Sequence, residues 1–174
     1  PNEEGIGEII VKGPSVMHGY YENEEATAEA LQDGWFHTGD LGRIDQDGFV
    51  YITGRKKNVI ITKNGKNIYP EEIEILLGRS PYIMEAMVYG LDNDSGDDTT
   101  VAAQIVADQE ILKEDCPGED LNRDQIYELI QKEVKDVNRQ LVSYKAIKKV
   151  ILRDEEFAKT TTRKIKRYVE EEKA

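Results

Sequence analysis

A single cysteine, two histidines, one tryptophan and the lack of any long apolar run set the first limits on this sequence of 174 residues. The one thiol, Cys116, stands in the polar stretch Lys113 to Gly118, so no internal disulfide can form and a reducing compartment fits. It reads as a loop thiol without a role. His18 and His37 together with one cysteine cannot build a Cys/His zinc cluster, so no metal site made wholly within the chain is expected. No stretch approaches the roughly 20 apolar residues that a membrane-spanning helix needs. The opening Pro1-Asn2-Glu3-Glu4 has neither an initiator Met nor the basic-then-apolar pattern of a targeting peptide, which sets the expectation of a piece of a longer protein. Positive charge is scarce as well. With 23 basic residues against 35 acidic ones, a net charge of −12, neither nucleic acid nor an anionic membrane is expected as a general partner.

What is present is a globular composition, 39% hydrophobic and 33% charged, on a chain long enough to bury about 70% of its unfolded surface. The few cations are clustered. Residues 55 to 66 hold Arg55, Lys56, Lys57, Lys63 and Lys66 and no carboxylate, and residues 159 to 167 hold Lys159, Arg163, Lys164, Lys166 and Arg167, again with none. Two positive islands in an acidic background suit a small polyanion as guest; two solvated basic loops explain the charge equally well.

Element signals run along the chain without repeats. Residues 7 to 12 read as a strand stopped by Gly13-Pro14, and Asn23 caps a short helix to Leu31 whose first turn carries Glu24 and Glu25. Residues 41 to 45 and 49 to 53 flank Gln46-Asp47-Gly48 as a hairpin. Strand character resumes at residues 59 to 62. Pro70, the following Glu71 and Glu72, the apolar Ile73, Leu76 and Leu77, and the terminal Gly78 mark a compact helix. Residues 84 to 89 and 100 to 107 are expected strands about an acidic loop. Asn122 with Gln125 resembles a capping box, and Ile126, Leu129, Ile130, Val134, Val137 and Leu141 continue at helical spacing. A strand at Lys149 to Arg153 precedes the second basic island, and residues 166 to 173 read as a last helix. Asp92 to Asp97 hints at a calcium loop, but its glycine comes one place early and Ala103 stands where the twelfth-position Glu belongs, so a solvated loop is expected.

Four segments, in order, resemble signatures of the adenylate-forming enzymes, the superfamily of acyl-CoA synthetases, firefly luciferase and peptide-synthetase adenylation domains. Gly7-Glu8-Ile9 with Gly13 and Gly19-Tyr20 resembles the strand-and-turn segment near the end of the large domain. Gly34-Trp35-Phe36-His37-Thr38-Gly39-Asp40-Leu41 resembles the ribose-binding Thr-Gly-Asp motif. Gly54-Arg55-Lys56-Lys57, followed by Asn67-Ile68-Tyr69-Pro70-Glu71-Glu72-Ile73-Glu74, resembles the hinge. Lys159 to Arg167 resembles the terminal lysine loop. The resemblance implies an α+β fold: residues 1–56 as the end of a distorted β-barrel subdomain of the large domain, and residues 57–174 as a mobile lid with a central sheet flanked by helices.

It also implies roles. Asp40, in a turn after flexible Gly39, would accept hydrogen bonds from the ribose hydroxyls, with Thr38 and Arg55 beside it as nucleotide-binding residues. His37 is expected to be structural. Lys57 would be the hinge, a long polar side chain solvated in either lid orientation. Lys164 would be catalytic. Bringing a carboxylate against the α-phosphate of ATP sets two anions together, and one ammonium at about 4 Å with an effective dielectric near 20 is worth roughly 4 kcal/mol of attraction. Thr160-Thr161-Thr162 would give a short mobile loop for it. Asn64 and Gly65 replace the family's paired glycines and would lie beside coenzyme A, Asn tolerating left-handed backbone much as Gly does.

The whole enzyme implied is an acid–thiol ligase that uses ATP, magnesium held by the missing large domain, and coenzyme A. Arg163, where many relatives have Gly, and the Asn64-Gly65 turn lean toward the long-chain fatty-acid–CoA ligases. The location implied is cytoplasmic, with peripheral membrane attachment of the whole enzyme left open. The fragment alone is expected to be inactive. Two alternatives stay open: the adenylation module of a peptide synthetase, and a binding module that kept the lid fold without catalysis.

Overall fold

A computed structural model describes residues 1–92, 99–115 and 121–171. Cys116 and the greater part of the calcium-like stretch, residues 93–97, lie outside the described residues. The chain forms two compact units, Pro1–Val59 and Ile60–Ala174.

The first unit is a sheet of four strands with one short helix. β1 (Gly7–Val11) and β2 (Leu31–Gln32) both pair antiparallel with β3 (Trp35–Ile44), which also pairs with β4 (Val50–Arg55). Among the described residues the sheet does not close into a barrel. Helix α1 (Glu24–Ala30) starts where Asn23 caps it, the side chain accepting from the Ala26 N–H at 2.9 Å. The expected hairpin across residues 46 to 48 is there, but its first strand is longer than its periodicity announced. The Thr-Gly-Asp segment lies inside β3, not in a turn. The pairing register of β1 with β3 slips between Glu8 and Ile10, and Gly39 takes a φ of +71°, so the segment is a bulge, a kink that re-aims side chains while the strand continues.

The second unit is an α+β layer. β7 (Ile83–Asp92) pairs antiparallel with the central β8 (Thr99–Ala107), which pairs in parallel with β9 (Lys149–Arg153). Every residue of β8 from Val101 to Ala107 is buried, as expected of a strand covered on both faces. Alternation divides the two sides. Val88, Val101, Ala103 and Ile105 meet Ile73 and Leu77 of α2 (Pro70–Leu77), Leu112 of α3 (Gln109–Asp115), and Ile126, Ile130, Val134 and Val137 of α4 (Arg123–Asn138). On the other side Met87, Tyr89, Ala102 and Val106 pack with Phe157 and Ile165. The helices thus gather on one face, and the basic segment near the C-terminus covers the other.

The capping box of α4 is complete: Asn122 Oδ1 accepts from the Gln125 N–H and Gln125 Oε1 from the Asn122 N–H. Two short strands, β5 (Ile60–Ile61) and β6 (Asn67–Ile68), make a small ribbon ahead of α2, and α5 (Arg167–Glu171) begins at the last residue of the second basic island.

Candidate functional site

In the first unit the bulge of β3 brings three of the expected residues together. Asp40 and Arg55 are direct cross-strand partners of β3 and β4, and Arg55 Nε lies 2.8 Å from Asp40 Oδ1. Arg55 also donates to the Thr38 carbonyl at 3.3 Å. The Thr38 hydroxyl donates to the Ile9 carbonyl at 2.7 Å and accepts from the Asp40 N–H at 3.0 Å, so it shapes the bulge and keeps one lone pair for any ligand. The Asp40–Arg55 pair is partly solvated, with side-chain exposures of 29% and 45%; such a pair adds little stability and can trade partners at little cost.

Glu8 on β1 organises the same bulge, a role its place in the sequence did not announce. Its carboxylate accepts from the Gly39 N–H at 3.2 Å, from His37 Nδ1 at 3.2 Å and from Lys56 Nζ at 3.0 Å. Burial alone would raise its pKa; the hydrogen bonds from Lys56 and His37, the Lys56 charge and the Gly39 N–H outweigh that and hold it below its ordinary value. His37 is one of Glu8's partners and also lines the cavity beside it. The cavity, of about 670 Å³, opens beside this network, with Glu8, Tyr20, Thr38, Gly39, Arg55 and Lys57 among its walls. Asp40 is not a wall residue. Lys57 is exposed, in a single 3-10 turn, Lys56–Asn58, near the end of the unit.

In the second unit two hairpin turns share one construction. In Thr160-Thr161-Thr162-Arg163-Lys164 the Thr160 N–H donates to the Lys164 carbonyl at 2.8 Å, the Arg163 N–H to the Thr160 carbonyl at 2.9 Å, and the Lys164 N–H to Thr160 Oγ1 at 3.1 Å. In Thr62-Lys63-Asn64-Gly65-Lys66 the corresponding three distances are 3.0, 2.8 and 3.1 Å. The fourth residue has positive φ in both, +62° at Arg163 and +70° at Gly65. The left-handed place thus falls on Gly65, and Asn64 before it has negative φ. Lys66 and Lys164 occupy equivalent places, each exposed and without a charged partner among the described residues. The lysine segment is consequently a tight hairpin with its own hydrogen bonds, closed by the Lys159–Ile165 bridge.

Both feet of that hairpin are tied to the sheet. Lys159 pairs at 2.6 Å with Glu156 and also with Glu85 of β7, and the hydrogen bonds to Glu156 and then Glu85 raise its pKa above the ordinary value. The Phe157 N–H donates to Glu85 Oε2 at 3.1 Å. Arg167 pairs with Glu74 of α2 and donates to the Val88 carbonyl at 2.8 Å, while Glu74 Oε1 accepts from the Val88 N–H at 2.6 Å. The two side chains together satisfy the outward N–H and C=O of an edge strand. Burial raises the Glu74 pKa against the opposing pull of Arg167 and the Val88 N–H. In the sequence Lys159 and Arg167 read only as members of the second basic island and Glu74 only as part of the hinge-like segment, with nothing local to pair them. The available signal was Glu74 itself, a carboxylate between the buried Ile73 and Leu77, which requires a cation or donors inside.

Among the described residues no group of three or more His, Cys, Asp or Glu side chains is placed to hold a metal ion, and no helix is long and apolar enough to cross a membrane. In the first unit Asp40 offers a partly solvated carboxylate beside the Arg55 guanidinium, and in the second Lys164 offers an exposed ammonium.

The AMP-binding enzyme C-terminal domain family matches residues 57–173. The 2-succinylbenzoate–CoA ligase of Bacillus cereus (strain AH820) is 46% identical over 109 residues, 63% of this chain and 22% of that ligase; the chain thus spans under a quarter of that relative. Among solved structures, o-succinylbenzoate CoA synthetase (MenE) from Bacillus subtilis, in complex with its acyl-adenylate intermediate, is 31% identical with a TM-score of 0.72, covering 94% of this chain and 30% of that one. ATP-bound MatB from Rhodopseudomonas palustris is 34% identical with a TM-score of 0.71, covering 97% of this chain and 30% of that one. The family match covers well over half of the chain, which belongs to the AMP-binding enzyme C-terminal domain family, within the adenylate-forming superfamily.

Proposed function

We propose that this chain is the C-terminal part of an ATP-dependent acid–CoA ligase, with a lid, residues 57–174, that turns about Lys57 between two half-reactions. The observation that carries this reading is Lys164. Its backbone is fixed by a hairpin while its ammonium is exposed and without a charged partner among the described residues. In the first half-reaction a carboxylate oxygen of the acid attacks the α-phosphorus of ATP, the bond to the bridging oxygen breaks, and pyrophosphate leaves. Lys164 would lie between the two approaching anions and offset their repulsion, the kind of aimed charge whose loss costs about 10²–10³ in rate. Asp40, held by Arg55, would receive the ribose hydroxyls, with Thr38 shaping the backbone beside them. Magnesium, held by parts of the enzyme outside this chain, would supply charge neutralisation on the phosphates.

In the second half-reaction the thiol of coenzyme A attacks the acyl carbon and AMP leaves. The turn at Asn64 and Gly65 would then face the incoming thiol substrate, and its likeness to the lysine hairpin suits a lid that offers one turn in each step. For the acid there are two candidate classes. Arg163 and the Asn64-Gly65 turn point to a long-chain fatty acid, whereas the curated relative at 46% identity is a ligase of 2-succinylbenzoate. Acid-dependent ATP–pyrophosphate exchange by the full-length protein decides between them, with 2-succinylbenzoate and fatty acids of graded length as substrates. Exchange with none of them would count against the ligase reading. Exchange by residues 1–174 alone would count against the division of labour between domains. A cytoplasmic location goes with this reading.

A further inference from the structure

We propose that Glu74 and Glu85 are positioning residues for Lys164: fixed on α2 and β7, they grip Arg167 and Lys159, the cations on either side of the lysine hairpin, and so determine where its ammonium is held. This rests on the reading of Lys164 given above. A two-stranded ribbon is at best marginally stable by itself, and among the described residues the hairpin between Lys159 and Ile165 belongs to no larger sheet. Phe157 and Ile165 seat it on the β7–β8 face through apolar contact, which is non-directional and leaves the ribbon free to slide.

Direction comes from the carboxylates. Glu85, 14% exposed, takes both the Lys159 ammonium and the Phe157 N–H. Glu74, 18% exposed, takes the Arg167 guanidinium and the Val88 N–H, while the other arm of the same guanidinium reaches the Val88 carbonyl. A guanidinium that bridges a carboxylate and a carbonyl fixes orientation as well as distance, which a single ammonium contact does not. Lys164 lies five residues beyond Lys159 and three before Arg167, so an error at either foot is carried to it through a short, internally bonded turn.

The arrangement also sorts the cations of the second basic island. The carboxylates engage Lys159 and Arg167, and Lys164 is left open. Were Glu74 or Glu85 able to reach Lys164, the ammonium would be neutralised before meeting substrate.

The test uses the full-length protein carrying Glu74→Gln or Glu85→Gln, which keep an oxygen acceptor for the Val88 or Phe157 N–H and remove the charge. Arg167→Lys, which keeps the charge and removes the fork, is a further variant. Adenylation kcat, read by pyrophosphate exchange, is expected to fall about 10- to 100-fold, since a misplacement of about 1 Å can cost 10². KM for ATP and acid is expected to stay near wild type, and thioester formation from supplied acyl-adenylate within about twofold. Amide hydrogen exchange at Lys164 is expected to quicken at least tenfold, with Ile105 in β8 unchanged. Equal loss of both half-reactions, as a purely structural role would give, overturns the proposal. So does quickened exchange at Lys164 with adenylation unaffected, or exchange that stays slow. A Lys164→Ala control that still catalyses pyrophosphate exchange refutes the catalytic reading instead, and amide exchange then still reports whether the carboxylates hold the hairpin.

Discussion

Arg163 and Gly65 occupy the same place in two turns with the same three hydrogen bonds, at φ +62° and +70°. Left-handed backbone costs a residue with a Cβ roughly 1–2 kcal/mol and costs Gly little. Arg163 bears that cost directly ahead of Lys164.

Arg163→Gly is therefore expected to stabilise the lysine hairpin by about 1 kcal/mol, less what the freer unfolded chain takes back. Slower amide exchange at Lys164 would register it. The reverse change, Gly65→Ala, should destabilise the matching turn by about the same amount, read as quicker exchange at Lys66.

Gly42 in β3 makes a prediction of another kind. A Cβ there would lie 2.5 Å from the Tyr51 carbonyl oxygen and 2.9 Å from Ile9 Cδ1, so backbone would have to move. Gly42→Ala is expected to cost about 1–3 kcal/mol and to disturb the β3–β4 pairing that sets Asp40 against Arg55. Denaturant unfolding with tryptophan fluorescence follows this well, because the chain's one tryptophan, Trp35, is in the same strand.

Glu8 supplies a pH dependence. Its folded-state pKa lies below the ordinary value of about 4.5, so in the folded state it holds its proton less readily than in the unfolded chain. Its stabilising contribution is present above pH 4.5 and is lost as pH falls through the depressed folded value. Wild type should accordingly be more stable than Glu8→Gln at pH 7, and the difference should shrink steadily on acidification below 4.5. Urea midpoints of the two proteins across that range measure it; a difference that is constant with pH would contradict the role assigned to the Glu8 charge.

The elements that could be read in the sequence were those whose signals are local. Asn122 with Gln125, and Pro70 with Gly78, mark helix ends through contacts that span a few positions, and both helices stand where those residues place them. The Thr-Gly-Asp segment reads as a turn because Gly39 interrupts the alternation, yet pairing on both sides carries β3 straight through it. Helix α3 was not apparent because Leu112 alone among its residues is buried, too little to set a period. β2 and β6, two residues each, have no pattern to detect. Lys164 and Asp40 stood out through their motifs. Their supports did not, since the Glu74–Arg167 pair spans 93 positions and the Phe157–Glu85 hydrogen bond 72, and only the completed fold brings such partners together.

The most direct test of the account is Lys164→Ala in the full-length protein, with the two half-reactions measured separately. Adenylation, followed as acid-dependent ATP–pyrophosphate exchange, is expected to fall by about 10²–10³, while coenzyme A thioester formed from supplied acyl-adenylate stays within a few-fold of wild type. Equal loss of both activities, or exchange at the wild-type rate, would contradict it.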